Sequence, residues 1–351
     1  MLQAVRIGQS IRALRPDVFV MALIGTVTLA TLLPCQGDSA RFCRWLGIFA
    51  IGTLFFLQGA RLSRESVVAG MTNWRLHFAI AGTTFALFPI LGTVLTALLP
   101  HSTNHTLVLG VLFLCALPST VQSSIALTSI AQGNVAGAVC AATASSLIGL
   151  LVTPLMFGFM AHMRGGNGID LSGMWLVFAE LLLPFIAGHL LRPWIGAWPA
   201  RNRALLLVTD RGSILLVVYT AFSASVVHGI WHQLPPEVLG MLAVLVALLL
   251  SAGLLIICVM ARTCGFSHAD EVAAVFCGSQ KSLVSGIPIA SVLFAGPTLG
   301  LIVLPIMLYH PMQLVVCAWI ARRYAGRSAA VAPVVTPPPA IDTAASQESA
   351  A

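Results

Sequence analysis

Two long apolar stretches of the sequence each carry a polar cluster near the middle, at residues 118–124 and 278–282. Proline and glycine release backbone groups from the hydrogen-bond ladder of a helix. Within a membrane such groups persist only when they are buried in protein or face a wet cavity. Two half-helices that meet there would direct positive N-terminal dipoles and free carbonyls at one point, which suits an ion or an anion. The simpler alternative is a pair of Pro and Gly kinks whose hydroxyls bond to nearby carbonyls.

Lys281, in the second cluster, is the only lysine of the chain. A charge at the centre of a membrane is costly, and a desolvated lysine can release its proton, which an arginine cannot. Lys281 could therefore be a counter-charge for an anionic substrate, a proton-coupling group or a fixed cation in the place of an ion. It could equally be a structural lysine bonded to the carbonyls at the end of a half-helix.

Glu180 is a second charged residue inside an apolar stretch. It could pair with Lys281 or carry a proton, or it could be solvated near the membrane edge. His189 lies on the opposite face of the same helix, so we expect it to pack and not to join Glu180 in one site. No segment has the spacing of a metal site or of an intramembrane protease, so we predict no catalytic residues and no enzyme activity.

The composition places these residues in a membrane. Apolar residues make up 58% and charged residues 8% of the chain, and the mean hydropathy is +0.96, whereas a soluble domain carries about 25% charged residues. Ten apolar stretches are long enough to cross a bilayer as helices: 18–33, 45–60, 76–99, 107–131, 135–160, 174–191, 213–230, 238–260, 272–293 and 298–320. The predicted fold class is an all-α polytopic membrane protein of about ten transmembrane helices.

The arginines predict an orientation. With ten crossings, one side holds 14 arginines and the other holds three, Arg41, Arg44 and Arg164. Positive charge stays cytoplasmic, so we expect both termini inside and the protein in the cytoplasmic (inner) membrane. The net charge of +7 then reflects topology, and no nucleic-acid partner is predicted. The expected partners are the lipid bilayer and a small organic anion, and the chain could also form an oligomer.

Three regions are predicted along the chain. Residues 1–16 form a cytoplasmic segment without a signal-peptide cleavage site, and residues 17–323 form the ten-helix transmembrane domain. Residues 324–351 are rich in Ala, Pro and Ser, which predicts a disordered cytoplasmic tail. Cys35 and Cys43 share a predicted external loop, and their spacing does not decide whether they pair.

The two halves of the domain are similar to each other. Residues 149–156 and 300–307 are identical at five of eight positions, and the two polar clusters fall in corresponding segments, the fourth and the ninth. This pattern predicts two inverted five-helix repeats with crossing discontinuous helices four and nine, a plan shared by many transporters.

Five short motifs resemble the bile acid:sodium symporter family, in particular its bacterial subgroup related to the divergent seventh human bile-acid carrier. They are QGARLSRE at 58–65, LPSTVQSS at 117–124, GNVA at 133–136, LLPFIAGH at 182–189 and FCGSQKSL at 276–283. The resemblance covers about residues 16–323 and implies the same ten-helix fold. Helices one, two, six and seven would form a panel, and the others a core that moves against it. The resemblance also implies sodium-driven transport of an organic anion.

The sequence departs from this family at the sodium ligands. The resemblance places Phe276 where the family has a glutamate, Lys281 where it has an asparagine, and Thr84 where it has a sodium-binding glutamine. Two hydroxyl ligands fall on Ala138 and Ala142. Most side-chain ligands of a hard cation are therefore missing.

A residual sodium site would rest on Ser123, Ser124 and Gln280. We hypothesise instead that the ammonium of Lys281 fills the vacated cation region. Transport would then be coupled to protons, or be electrogenic without sodium.

These expectations describe a secondary active, symporter-like transporter that moves a small organic anion by alternating access, with Na⁺ or H⁺ as coupling ion and no other cofactor. The predicted substrate and ion site takes polar residues from both clusters and two from elsewhere: Ser119, Thr120, Gln122, Ser123, Ser124, Ser279, Gln280, Lys281, Ser282, Thr84 and Glu180. The alternatives are a membrane regulatory or scaffold protein that keeps the fold without transporting, and a channel. The substrate cannot be read from the sequence.

Overall fold

The computed structural model describes residues 18–61, 73–100, 103–163, 175–176, 178–196, 198, 201–229, 235–294 and 296–331. All regular secondary structure within these ranges is helical. The predicted N-terminal segment 1–16 and the end of the predicted tail lie outside the described residues.

We number the helices so that the two halves of an interrupted helix share a number. They are α1 (Val18–Leu32), α2 (Gly37–Arg61), α3 (Trp74–Ala97), α4a (His105–Ala116), α4b (Gln122–Ile130), α5 (Val135–Met163), α6 (Leu183–Ile195), α7 (Arg203–Val227), α8 (Pro236–Thr263), α9a (His268–Ser279), α9b (Leu283–Leu293) and α10 (Leu299–Val331). A π-helical turn, Thr83–Leu87, widens the middle of α3, and a second one, Phe178–Leu182, precedes α6.

The surface of the helix bundle is apolar. Large hydrophobic side chains face outward on several helices, among them Phe49, Phe78 and Trp194, which are 73%, 72% and 78% exposed. Seven helical spans within the described residues are long and apolar enough to cross a membrane, and α9a and α9b together make one of them. Because water would not stabilise such a surface, the chain is an integral, multi-pass membrane protein.

Both predicted interruptions are present. The fourth helix stops at Ala116 and resumes at Gln122, and the ninth stops at Ser279 and resumes at Leu283. Leu117 and Gln280 cap the first halves with extended backbones. Residues 271–290 are all buried except the half-buried Val284, so the second interruption lies in the middle of the protein.

Helices α1, α2, α6 and α7 pack together, as the family resemblance implies for a panel. The backbones of α2 and α6 come closest at two glycines. A methyl group on Gly188 would collide with the carbonyl of Phe56, and one on Gly59 with the carbonyl of Phe185. This group contacts the remaining helices through α7, which packs against α9b and α10.

Three helices extend well beyond the predicted stretches. Helix α2 begins at Gly37 and α7 at Arg203, before the predicted starts at 45 and 213, because charged helix ends extend beyond the apolar windows. Helix α10 continues to Val331, eight residues past the predicted boundary at 323. The chain has no proline between Pro311, which lies inside α10, and Pro333, so none ends the helix near residue 323.

Tyr324 also anchors the end of α10. Its hydroxyl donates to Glu271 Oε1 over 2.7 Å, and Arg262 Nε donates to the same oxygen over 3.0 Å. These contacts join the cytoplasmic-side ends predicted for helices eight, nine and ten.

Candidate functional site

The two interrupted helices meet at their breaks. Ser282 donates its backbone N–H to the carbonyl of Pro118 over 2.9 Å. Ser119 in turn receives its own support from α5, because its N–H donates to Ser145 Oγ over 3.0 Å. The unwound residues 117–121 and 280–282 therefore form one crossing, in which a backbone N–H of the second segment binds a backbone carbonyl of the first.

Gln280 is the centre of a cluster of hydroxyls at this crossing. Its side chain is fully buried, and its Oε1 accepts from Thr120 over 2.6 Å and from Ser124 over 3.2 Å. Ser123 donates to the same oxygen. Four residues that the sequence predicted from two distant segments thus share one hydrogen-bond cluster, which satisfies this oxygen without a cation.

Lys281 points to the other side of the crossing and is also fully buried. Its Nζ donates to the carbonyls of Thr84, Cys115 and Leu117 over 3.0, 2.9 and 2.8 Å. The ring of Phe88 lies 4.4 Å from the same nitrogen and adds a cation–π contact. Carbonyl oxygens and a π face surround the ammonium much as ligands surround a metal cation.

The carbonyls that bind Lys281 are free for local reasons. In the π-turn of α3, Phe88 donates its N–H to Thr83, and the next residue, Pro89, has no N–H to offer Thr84. At the end of α4a, the N–H of Ser119 binds Ser145 and leaves the Cys115 carbonyl to the lysine. One proline and one helix end therefore free the carbonyls that bind the lysine.

Helix α10 holds the unwound backbone of Lys281. Gln313 accepts from the Lys281 N–H over 2.8 Å and donates to the Lys281 carbonyl over 3.0 Å. Tyr309 donates to the Ser279 carbonyl over 2.7 Å, and Gln313 lies 3.0 Å from His310 Nδ1. Sequence reasoning missed these α10 residues, because polar residues scattered through a long helix give no local signal.

The remaining predicted site residues have different places. Thr84 contributes its carbonyl and not its side chain, and Ser279 Oγ bonds to Val275 in its own helix. Glu180 lies half-buried in the π-turn before α6. It is neither among the bonded partners of Lys281 nor in the cavity wall described next.

A cavity of about 1160 Å³ lies beside the crossing. Its inner end is lined by polar residues of both interrupted helices: Thr120, Gln122, Ser123, Ser282 and Ser285. Its sides are mainly apolar and come from α1, α5, α6, α7 and α10. Lys281 and Glu180 are absent from this wall, so neither is placed to contact a molecule in the cavity.

The outer part of the cavity carries charge. Arg61, Arg211 and Arg322 line it together with one carboxylate, that of Asp210. Arg61 and Asp210 form a two-pronged ion pair, with Nη1–Oδ2 at 3.1 Å and Nη2–Oδ1 at 3.2 Å. The motif at 58–65 contains Arg61, whereas Asp210 lies in a predicted loop, and the sequence relates the arginines only to membrane topology.

The sequence matches one protein family model and several known proteins. Residues 17–326 match the model of the SBF-like CPA transporter family. "Uncharacterized protein PA2026" of Pseudomonas aeruginosa is 52% identical over 312 residues, which cover 89% of this chain and 94% of that protein. "Putative symporter YfeH" of Escherichia coli K12 is 48% identical over 308 residues, which cover 88% of this chain and 92% of that protein. Sodium/bile acid cotransporter 7 of Rattus norvegicus is 28% identical over 307 residues, 86% and 90% of the two chains.

Proposed function

Because this chain belongs to the SBF-like CPA transporter family, we propose that it is a secondary transporter that carries a small organic anion by alternating access. The observation that carries the proposal is the cavity of about 1160 Å³ that ends at the crossing of the two interrupted helices. Ligand cavities in proteins commonly measure about 300–1,000 Å³, so an amphipathic organic molecule would fit. The names of the family and of its relatives point to transport and away from enzyme activity.

The charges of the cavity support an anionic substrate. Three arginines against one aspartate leave the lining net positive, and guanidinium groups bind carboxylates and sulfonates well. Apolar side walls suit the hydrocarbon part of the same molecule. The name of the rat relative, sodium/bile acid cotransporter 7, includes an amphipathic anion of this kind, a bile acid.

The proposed architecture has ten crossings in two inverted repeats of five. Helices α4 and α9 cross at their breaks, and the group α1, α2, α6 and α7 would rock against the rest. Both termini would be cytoplasmic in the inner membrane. The cavity would then open to the cytoplasm, because its outer wall contains the ends of α2 and α10 and the start of α7.

The coupling ion is proposed not to be sodium. The ammonium of Lys281 would occupy the cation region, held by three carbonyls and the ring of Phe88. Gln280 and its three hydroxyls would remain as a neutral polar junction. Transport would then be driven by protons or by the membrane potential.

Uptake by purified protein in proteoliposomes tests the proposal. We expect saturable uptake of an amphipathic anion such as taurocholate that is equal in sodium and in choline medium. Uptake that scales with sodium and survives Lys281→Ala would refute the substitution of sodium by lysine. A protein that taurocholate stabilises but that transports nothing would instead be a regulatory protein with this fold.

A further inference from the structure

The ion pair in the outer cavity has the geometry of a ligand-binding contact. We propose that Arg61 binds the acidic group of the substrate, and that Asp210 occupies Arg61 until an amphipathic anion and a proton arrive together. This inference rests on the proposed transport function, and it specifies the anchoring residue and the coupling ion of the same cavity.

The contact between the two residues is the one a guanidinium makes with an acidic ligand. Both terminal nitrogens of Arg61 face both carboxylate oxygens of Asp210, over 3.1 and 3.2 Å. The Asp210 side chain is 8% exposed and that of Arg61 is 30% exposed, so the cavity reaches the arginine more readily. Asp210 therefore occupies the place that a carboxylate or sulfonate of the substrate would take.

A proton resolves the competition for Arg61. If the substrate anion and an ionised Asp210 shared one guanidinium, two like charges would lie within a few Å of each other. Uptake of one proton by an Asp210 oxygen converts its carboxylate to a neutral carboxyl group and leaves Arg61 to the anion. Release of the anion and the proton restores the pair. Binding of each then raises the affinity for the other by the same factor.

Asp210 is the acidic group of the cavity wall that could take up this proton. Helix α7 packs against α1, α2, α9b and α10. Within the described cavity wall, α2 supplies Arg61, α7 itself Arg211, and α10 both Arg322 and His310, whereas α1 and α9b supply no titratable group. The arginines keep their charge, so His310 is the other residue of this wall that could respond to pH.

The other buried charged residues are engaged away from the cavity. Lys281 binds three carbonyls, and Glu271 accepts from Arg262 and Tyr324. Neither these residues nor Glu180 line the wall. A substrate in the cavity would thus meet a carboxylate only at Asp210, as far as the described residues extend.

The test is calorimetric titration of the purified full chain with taurocholate, a sulfonate that stays charged between pH 5 and 8. We expect wild-type affinity to rise with falling pH, by up to about tenfold per pH unit for one linked proton. Asp210→Asn should bind taurocholate tightly, with an affinity that does not change with pH. Arg61→Gln should bind at least about tenfold more weakly at every pH.

Two further variants serve as controls. Arg44→Gln removes an exposed arginine of α2 that does not line the cavity, and this variant should titrate like wild type. His310→Gln should keep the pH slope, whatever its affinity. If either single variant of the pair fails to fold, the double variant Arg61→Gln/Asp210→Asn removes both charges together and should bind weakly without a slope.

The inference is overturned if Asp210→Asn keeps the wild-type slope, if His310→Gln abolishes it, or if the Arg61 variants bind as tightly as wild type. It is separable from the transport function. Absence of uptake in proteoliposomes together with pH-linked binding would refute transport and leave the pair as the anion site. Uptake together with a binding affinity that does not depend on pH would refute only the role proposed for Arg61 and Asp210.

Discussion

At the scale of single residues, Lys281 shows how one charge can be stable deep in an apolar protein. A buried charge is tolerated only when hydrogen bonds replace its water. Here Pro89 and the break after Ala116 free the carbonyls that take the place of water around the ammonium. The sequence indicated the depth of Lys281 and carbonyl ligands as one alternative. It placed Thr84 in the site through the family resemblance alone and could not indicate the Thr84 carbonyl as a partner of Lys281, because that carbonyl is free only through a π-turn in a distant helix.

Replacing Lys281 tests whether the ammonium is integral to this structure. Lys281→Met keeps the length of the side chain but leaves three buried carbonyls without a donor. We expect the free energy of unfolding to fall by about 2–5 kcal/mol, measured by thermal denaturation in detergent. Lys281→Ala makes room for an ion, so 100 mM sodium is expected to stabilise this variant and not the wild type.

The matched control is Arg323→Met, at an exposed position stacked on Trp319, which should change stability little. Unfolding of Lys281→Met at the wild-type temperature would contradict the structural role. Sodium stabilisation of the wild type would contradict the claim that the lysine occupies the cation region.

Gln280 is expected to be needed for both stability and transport. In Gln280→Leu, the hydroxyls of Thr120, Ser123 and Ser124 lose their shared acceptor. We expect a loss of about 1–3 kcal/mol and no uptake. Gln36→Leu, at an exposed position before α2, is the control and should transport normally. Normal uptake by Gln280→Leu would separate this cluster from transport.

At the scale of helices, the glycines between α2 and α6 fix how closely two helices pack. The carbonyls of Phe56 and Phe185 lie where side chains at Gly188 and Gly59 would need to be. The motifs at 58–65 and 182–189 contain both glycines. The sequence could not show that the two motifs contact each other, since more than a hundred residues separate them.

Gly188→Ala should therefore separate α2 from α6 and destabilise the protein. We expect a loss of about 1–3 kcal/mol from overpacking, detected as a lower midpoint of thermal denaturation. Gly25→Ala is the matched control, because nothing lies within 4 Å of a methyl group there. That variant should be neutral or slightly stabilising, since alanine favours a helix. Equal midpoints for the two variants would contradict the close packing.

Helix boundaries were harder to predict than helix positions. The two breaks were predicted from proline, glycine and clustered hydroxyls, because these residues act locally on the backbone. The predicted starts of α2 and α7 and the predicted end of α10 make these helices too short, because windows of apolar residues stop where charged residues begin. That error hid Asp210, which lies in the first turns of α7 and lines the cavity.

At the scale of the whole molecule, the arginine distribution predicts that both termini lie in the cytoplasm. Reporter domains fused before Met1 and after Ala351 test this: green fluorescent protein should fluoresce at both ends, and alkaline phosphatase should be inactive at both. Phosphatase activity at one end alone would require an odd number of crossings.

The membrane fold and the transporter family could be predicted from composition, segment length and five short motifs, since each is a property of the chain itself. The cavity could not, because its wall combines residues from eight helices that only tertiary packing brings together.

The most direct test of the account is taurocholate uptake into proteoliposomes that contain the purified protein, in sodium-free medium with an inward proton gradient. We expect saturable uptake that is unchanged by added sodium, absent in Gln280→Leu and insensitive to the proton gradient in Asp210→Asn. Uptake that requires sodium, with Gln280→Leu as active as wild type, would contradict both the site and the coupling proposed here.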